Sequence, residues 1–239
     1  QEYLKIAEKN ADFLWFKLSN QQGKLFRTYK NGVAKIDGFL DDYAHVIQSY
    51  LSLYQLTFKV EYLDRASLLL DYCQNNFKHP SSEMFYYTEA NNSLLVARKM
   101  ELSDNVIPAS NSIMAHNLMT MGSIKSDEKL IEQAQMMLLN VKENLAKGLV
   151  YYANWDLLLM RFLQASKEVV IMGDDCAGWA KEIQKTYTFN TLFVGSKKQE
   201  YLPLMQERFQ KDQTLVYVCE NKSCKLPSSH IDEVLGYLK

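Results

Sequence analysis

Apolar residues recur along most of the chain at helical spacing. Tyr43, Ala44, Ile47, Tyr50, Leu51 and Tyr54 fall at i, i+1, i+4, i+7, i+8 and i+11, a broad apolar stripe edged with tyrosine. They predict a helix from about Leu40 to Thr57. Leu63, Ala66, Leu69, Leu70 and Cys73 repeat the pattern over Glu61 to Phe77, and a three- or four-residue connection makes the pair an antiparallel hairpin. Upstream, Ile6, Ala7, Phe13, Leu14 and Leu18 predict a first helix over Tyr3 to Leu18, ended by Gln21-Gln22-Gly23. Leu25 to Tyr29 reads as a short extended piece before the turn dipeptide Asn31-Gly32.

A second hairpin follows. Ser110 or Asn111 can cap a helix carrying Ile113, Met114, Leu118 and Met121, with Pro108 as a rigid entry and Gly122 as its close. Asp127 can cap the return helix, whose apolar face holds Leu130, Ile131, Ala134, Met137, Leu138 and Val141. A further helix runs from about Asn154 to Gln164. Between the hairpins, Phe85-Tyr86-Tyr87 and Leu94-Leu95-Val96 flank Asn91-Asn92 and read as a two-stranded ribbon.

Near Ser166 the pattern changes. Glu168 to Gly173, Thr191 to Gly195 and Thr214 to Cys219 have the apolar runs of buried strands. Helices are predicted from about Ala177 to Thr186, Leu204 to Gln210 and Ser229 to Leu238. Alternating strands and helices imply a small parallel sheet. The fold class is therefore mainly α: helical hairpins over 1–165, then a small α/β subdomain over 166–239.

Composition sharpens this picture. Only four prolines and nine glycines in 239 residues favour helices over a turn-rich β fold, and 47% hydrophobic content supports a substantial core. A net charge of −1 gives no reason to expect a nucleic acid or a membrane surface as partner. No run approaches the roughly 20 apolar residues that span a bilayer. The fifteen tyrosines suit half-buried walls and sugar-facing surfaces, and equally suit ordinary helix packing. Four cysteines are too few for a disulfide scaffold and point to a reducing compartment, hence a cytoplasmic location. No signal peptide is visible, but a chain that opens at Gln1 and turns helical at once reads as a piece of something longer.

The polar residues gather at predicted helix starts. One cluster is Leu40-Asp41-Asp42-Tyr43-Ala44; the other comprises Arg98, Asp104, Pro108, Ser110 and Asn111. Free N–H groups and positive dipole ends at such mouths favour carboxylates, anions and hydroxyl-rich ligands. Asp41, Asp42 and Asp104 are the carboxylates available for acid–base work, in which one group must hold a proton and another must not. Asp41 and Asp42 diverge by about 100° on a helix, so one of them is expected to face a cavity. Tyr43, Arg98, Ser110 and Asn111 would bind substrate, with Arg98 gripping an anionic group. A purely structural role competes: an aspartate caps its helix and Arg98 ties the ribbon to Asp104.

Along nearly the whole chain, these stretches resemble the bacterial YyaL proteins and their spermatogenesis-associated thioredoxin-like relatives. The matching residues are Leu40-Asp41-Asp42-Tyr43-Ala44, Leu53-Tyr54, Tyr62-Leu63 with Ala66, Arg98, Asp104, Pro108, Ser110-Asn111-Ser112, the strand ending at Gly173, and Val218-Cys219 through Cys224 to Pro227. The resemblance implies an α/α toroid related to N-acylglucosamine 2-epimerases and six-hairpin glycosidases, preceded in the family by a thioredoxin-like domain. This chain would hold roughly half the toroid's hairpins. If the chain is catalytic, isomerase or hydrolase chemistry on a sugar-like small molecule is the expectation, and no metal or other cofactor is expected. In the related epimerases histidines are the acid–base residues, which makes His45 and His116 candidates; a lone helix histidine is otherwise a packed or solvent-facing residue. The rival reading is a non-catalytic module whose uncovered helix faces pack on another part of the protein, on a partner, or on a second copy.

Two further motifs could in principle hold a ligand. Cys219 and Cys224, with His230 beyond, read foremost as part of an ordinary loop, with a disulfide or thiol pair and a zinc site as alternatives. Met172-Gly173-Asp174-Asp175-Cys176-Ala177-Gly178 lacks the Lys-Ser/Thr of a phosphate loop, and its aspartates would repel phosphate.

Overall fold

The computed structural model describes residues 2–90, 97–199, 202–220 and 223–238. α1 (Glu2–Leu18) leads into an antiparallel ribbon of β1 (Phe26–Lys30) and β2 (Val33–Asp37). Asn31 and Gly32 take positive φ, 52° and 79°, as a tight two-residue hairpin turn requires.

α2 (Leu40–Thr57) and α3 (Val60–Asn76) form the first helical hairpin, with both predicted apolar stripes buried against each other. Only Phe58 and Lys59 connect them, fewer than the sequence suggested. Phe58 turns the chain in the left-handed region, φ 58°, and donates its N–H to the Tyr54 carbonyl at 2.6 Å.

α4 (Ser110–Lys125) and α5 (Glu128–Leu145) form the second hairpin. α4 is buried on nearly every side, which makes it the central helix, packed on α2, α5 and α6 (Ala153–Leu163). Gly122 does not end α4. The helix continues to Lys125 and ends where Ser126 turns left-handed, φ 55°. Gly122 serves instead as a contact point: a Cβ there would lie 2.7 Å from Ile131 Cγ1 and 2.8 Å from the Asp127 carbonyl. Asp127 caps α5 as expected, accepting from the Lys129 N–H at 3.0 Å.

α2 and α4 lie side by side and run the same way. Asn117 on α4 donates to the Ala44 carbonyl on α2 at 2.8 Å. At their starts both helices bond one segment: the Leu40 N–H donates to the Tyr87 carbonyl at 2.9 Å, and Asn111 bonds the Phe85 backbone. Phe85 to Tyr87 does not form the predicted ribbon as such. Phe85 makes one bridge with Lys78, and the Tyr87 N–H donates to the Lys99 carbonyl at 2.7 Å. Residues 94–96, the other predicted strand, lie outside the described residues.

β3 (Lys167–Met172), β4 (Thr191–Ser196), β5 (Leu215–Glu220) and β6 (Ser223–Cys224) make one sheet in the order β4-β3-β5-β6. It is mixed rather than parallel. β3 and β4 are parallel, joined through α7 (Cys176–Ile183), whereas β5 is antiparallel to β3. The predicted helix over Leu204 to Gln210 is absent; that stretch holds a single 3-10 turn, Pro203–Met205, and Glu207 takes positive φ, 59°. Without a crossover helix the chain returns at the end of the sheet it left, so β5 enters antiparallel. One face of the sheet (Val170, Met172, Leu192, Val194) joins the helical core. The other (Val169, Ile171, Phe193, Val218) packs on α7 and α8 (Ile231–Leu238).

Cys219 and Cys224 oppose each other in the β5–β6 ladder and are joined as a disulfide, which replaces the ordinary-loop reading. Their sulfurs bind each other and so are not thiolate ligands. Cys176 lies free in the α7 core. Among the described residues no helix is long and apolar enough to cross a membrane.

Candidate functional site

The hairpin β1–β2 folds over the start of α2, and this places Arg27 across both aspartates. Arg27 Nη2 lies 3.3 Å from Asp41 Oδ2, and its Nε lies 3.6 Å from Asp42 Oδ2. Its guanidinium also sits 4.6 Å over the Phe39 ring. Asp41 Oδ2 accepts from the Tyr87 hydroxyl at 3.0 Å as well, and Asp41 Oδ1 from the Asp42 N–H at 2.9 Å. Asp42 reaches back to accept the Phe39 N–H at 2.9 Å, satisfying one of the free amides at the helix start.

Arg27, Asp41 and Asp42 line a cleft of about 380 Å³ with Leu14, Leu18, His45 and Val46, and Ile107 from the chain leading to α4. Both aspartates face it, not one. Asp42 folds back to the start of its own helix, and that brings its carboxylate round to the guanidinium Asp41 already holds. Burial raises the Asp42 carboxyl above its ordinary value; the Phe39 N–H opposes this, the Asp41 charge adds to it, and Arg27 opposes it. His45 Nδ1 lies 2.8 Å from the Asp41 carbonyl one turn back. As a donor there, Nδ1 leaves Nε2 as the imidazole's acceptor.

The second helix mouth is built differently. Asp104 Oδ1 accepts from the Ala109 N–H at 2.8 Å and the Ser112 hydroxyl at 3.3 Å, while its Oδ2 accepts from the Asn154 N–H at 2.9 Å. One carboxylate thus serves the starts of α4 and α6 together. Glu101 Oε2 accepts from the Ser110 N–H at 3.0 Å. Neither Ser110 nor Asn111 caps α4; Ala109 holds the cap position, and acids upstream supply the acceptors. The Ser110 hydroxyl is buried with no partner among the described residues. Asn111 is consumed by Phe85 and Glu101.

Arg98 binds no carboxylate among the described residues. It donates to the carbonyls of Thr88 and Asn76 and stacks 4.0 Å over the Tyr86 ring. It therefore ties the end of α3 to the following loop rather than to Asp104. Tyr43 points beneath the hairpin, where its hydroxyl accepts the Leu25 N–H at 2.9 Å and its ring stacks on Tyr72. The two mouths share one end of the molecule, but of the predicted residues only Asp41, Asp42 and the candidate histidine His45 line this cleft.

His116 is a packed residue. Its Nε2 meets the Asn154 carbonyl at 2.9 Å and its Nδ1 meets Arg161 Nη1 at 3.0 Å. Burial first, then the Arg161 charge, pull the imidazole down to about 4. At neutral pH it is therefore the uncharged imidazole, its one N–H held by the Asn154 carbonyl and its lone pair by Arg161.

No protein-family model matches the chain. It is 27% identical over 202 residues to spermatogenesis-associated protein 20 of Mus musculus, and 26% identical over 202 residues to that of Homo sapiens, each covering 80% of the chain. It is 26% identical over 249 aligned residues, 98% of the chain, to uncharacterized protein B0495.5 of Caenorhabditis elegans. The chain is a distant relative of spermatogenesis-associated protein 20. It spans 26% of the mouse protein and 34% of the nematode one. The name spermatogenesis-associated protein 20 specifies no ligand or reaction, so the chemistry rests on the cleft.

Arg27, Tyr87 and Glu101 are not among the site residues that the sequence predicts. Arg27 gave no local signal, because its partners lie on an element 14 residues on that only the folded hairpin reaches. Glu101 had one: an acid upstream of a helix whose cap position, Ala109, offers no side-chain acceptor.

Proposed function

We propose that the chain is part of an α/α toroid of the YyaL type, related to the N-acylglucosamine 2-epimerases and six-hairpin glycosidases. Its cleft at the start of α2 binds a hydroxyl-rich, sugar-like molecule. The observation that carries this reading is the convergence of Asp41, Asp42, Arg27 and His45 on one cleft of about 380 Å³. Carboxylates and a guanidinium supply acceptors and donors for vicinal hydroxyls, and Leu14, Leu18 and Val46 offer apolar wall to the faces of a sugar ring. If the bound molecule reacts, Asp42 is the better proton donor, because burial favours its neutral form, and His45 Nε2 the better acceptor. That is the acid–base arrangement of an isomerase or hydrolase.

The test is calorimetric titration with hexosamines and disaccharides. Saturable binding that weakens about tenfold in Asp41→Asn and in Arg27→Ala supports the cleft. Absence of binding to every such sugar, or binding that both variants leave intact, removes it.

A second reading has its own observation. α1 leaves Tyr3, Ile6, Phe13 and Phe16 exposed (88%, 58%, 40% and 54%), even though Tyr29 meets the Phe13 ring edge-on and Arg65 lies over Phe16. On that reading the chain is an interaction module whose α1 face packs on another part of a longer polypeptide or on a second copy. Sedimentation separates the cases: a monomer whose mass is unchanged at high concentration argues against a second copy.

A further inference from the structure

We infer that Arg161 anchors a second binding site, for a small oxyanion, at the opposite ends of α2 and α4 from the cleft. Arg161 stands on the last turn of α6. Its Nε donates to Asn190 Oδ1 at 3.3 Å, one Nη to Thr120 Oγ1 at 3.1 Å, and the other Nη meets His116 Nδ1 at 3.0 Å. All three partners are neutral, since His116 must offer a lone pair to a guanidinium. Arg27 and Arg65 each pair with an aspartate, whereas Arg161 has no carboxylate among the described residues. Burial lowers its pKa to about 10, so it still carries its charge at neutral pH. A guanidinium has five N–H donors, and three are used here.

Arg161 borders a cavity of about 220 Å³. Gln55, Thr120, Ser123, Thr188 and Asn190 are among the residues lining it, and the lining contains no Asp or Glu. An adjoining larger cleft of about 900 Å³ shares Arg161, Ser123 and Ser166 but also holds Glu128, Glu168 and Arg208. The smaller cavity is thus the one where a buried positive charge, hydroxyls and amides meet without a competing carboxylate. A phosphate or carboxylate group fits that chemistry, because a guanidinium pairs with an oxyanion through charge-assisted, often bidentate hydrogen bonds that its three neutral partners cannot match with a charge of their own.

Calorimetric titration of the whole chain with inorganic phosphate and, separately, with acetate at constant ionic strength tests the site. Saturable binding of either is expected, weakened about tenfold or more in Arg161→Met and unchanged within about twofold in Arg208→Met. Tighter phosphate binding identifies a phosphoryl group as the ligand moiety, and tighter acetate binding a carboxylate. If Arg161→Met fails to fold, Thr188→Val keeps the guanidinium and should weaken binding about threefold. No saturable binding of either ion, an affinity that Thr188→Val and any folded Arg161→Met leave intact, or a site lost only in Arg208→Met would overturn the assignment.

Discussion

Asn111 holds both sides of the Phe85 backbone: its Oδ1 accepts the Phe85 N–H at 2.8 Å, and its Nδ2 donates to the Phe85 carbonyl at 2.9 Å. Both residues are fully buried. A side-chain amide here does the work of a neighbouring strand, fixing the segment that also meets the start of α2. Asn111→Ala would strand a buried N–H and carbonyl, for an expected loss of about 3 kcal/mol. Urea unfolding measures it; a loss under about 1 kcal/mol would show that water replaces the amide.

Gly122→Ala should destabilise in spite of alanine's better helix propensity. The added methyl would meet Ile131 Cγ1 and the Asp127 carbonyl, at a contact between α4 and the start of α5. Overpacking of this kind outweighs a propensity gain of about 1 kcal/mol, leaving a net loss of about 1–2 kcal/mol. A melting temperature at or above the parent's would mean the hairpin opens easily at that point.

The His116 imidazole, held near 4 against an ordinary 6.5, makes stability depend on pH. Its neutral form is the folded one, so this contribution is fully present above pH 6.5. It is lost as pH falls toward 4, because the unfolded chain binds the proton first. The full span is about 3 kcal/mol. Comparing urea midpoints at pH 7 and 4.5 should show a flatter dependence in His116→Gln than in the parent; parallel profiles would mean His116 protonates freely in the fold.

The Cys219–Cys224 disulfide closes a short loop, with a sequence separation of 5. Chain-entropy arguments give such a link about 2 kcal/mol. The double variant Cys219→Ser/Cys224→Ser should therefore be about that much less stable than the oxidised parent and match the reduced parent. Equal stability in all three would indicate that the β5–β6 turn holds without the bond.

The helical hairpins could be read directly from the chain. Periodic burial is a local property, and the stripes of α2, α3 and α5 appear at their predicted positions because each turn repeats the same instruction to face the core. Asp127 was equally readable, since a cap bonds an amide two residues away. The polar residues were different. The clusters near Asp41 and Asp104 were recognisable as helix mouths, but their partners were not, because Arg27 and Asp41 lie 14 residues apart, Asp104 and Asn154 50, and Asn117 and Ala44 73. A carboxylate's identity says only that it needs a donor; which donor arrives depends on how the hairpins pack. The same holds for the sheet, whose strands were evident from composition while their direction followed from a connection that forms no helix. Local spacing set the elements of this protein. Packing between distant elements decided which charges meet, which face a cleft and which merely hold the helices together.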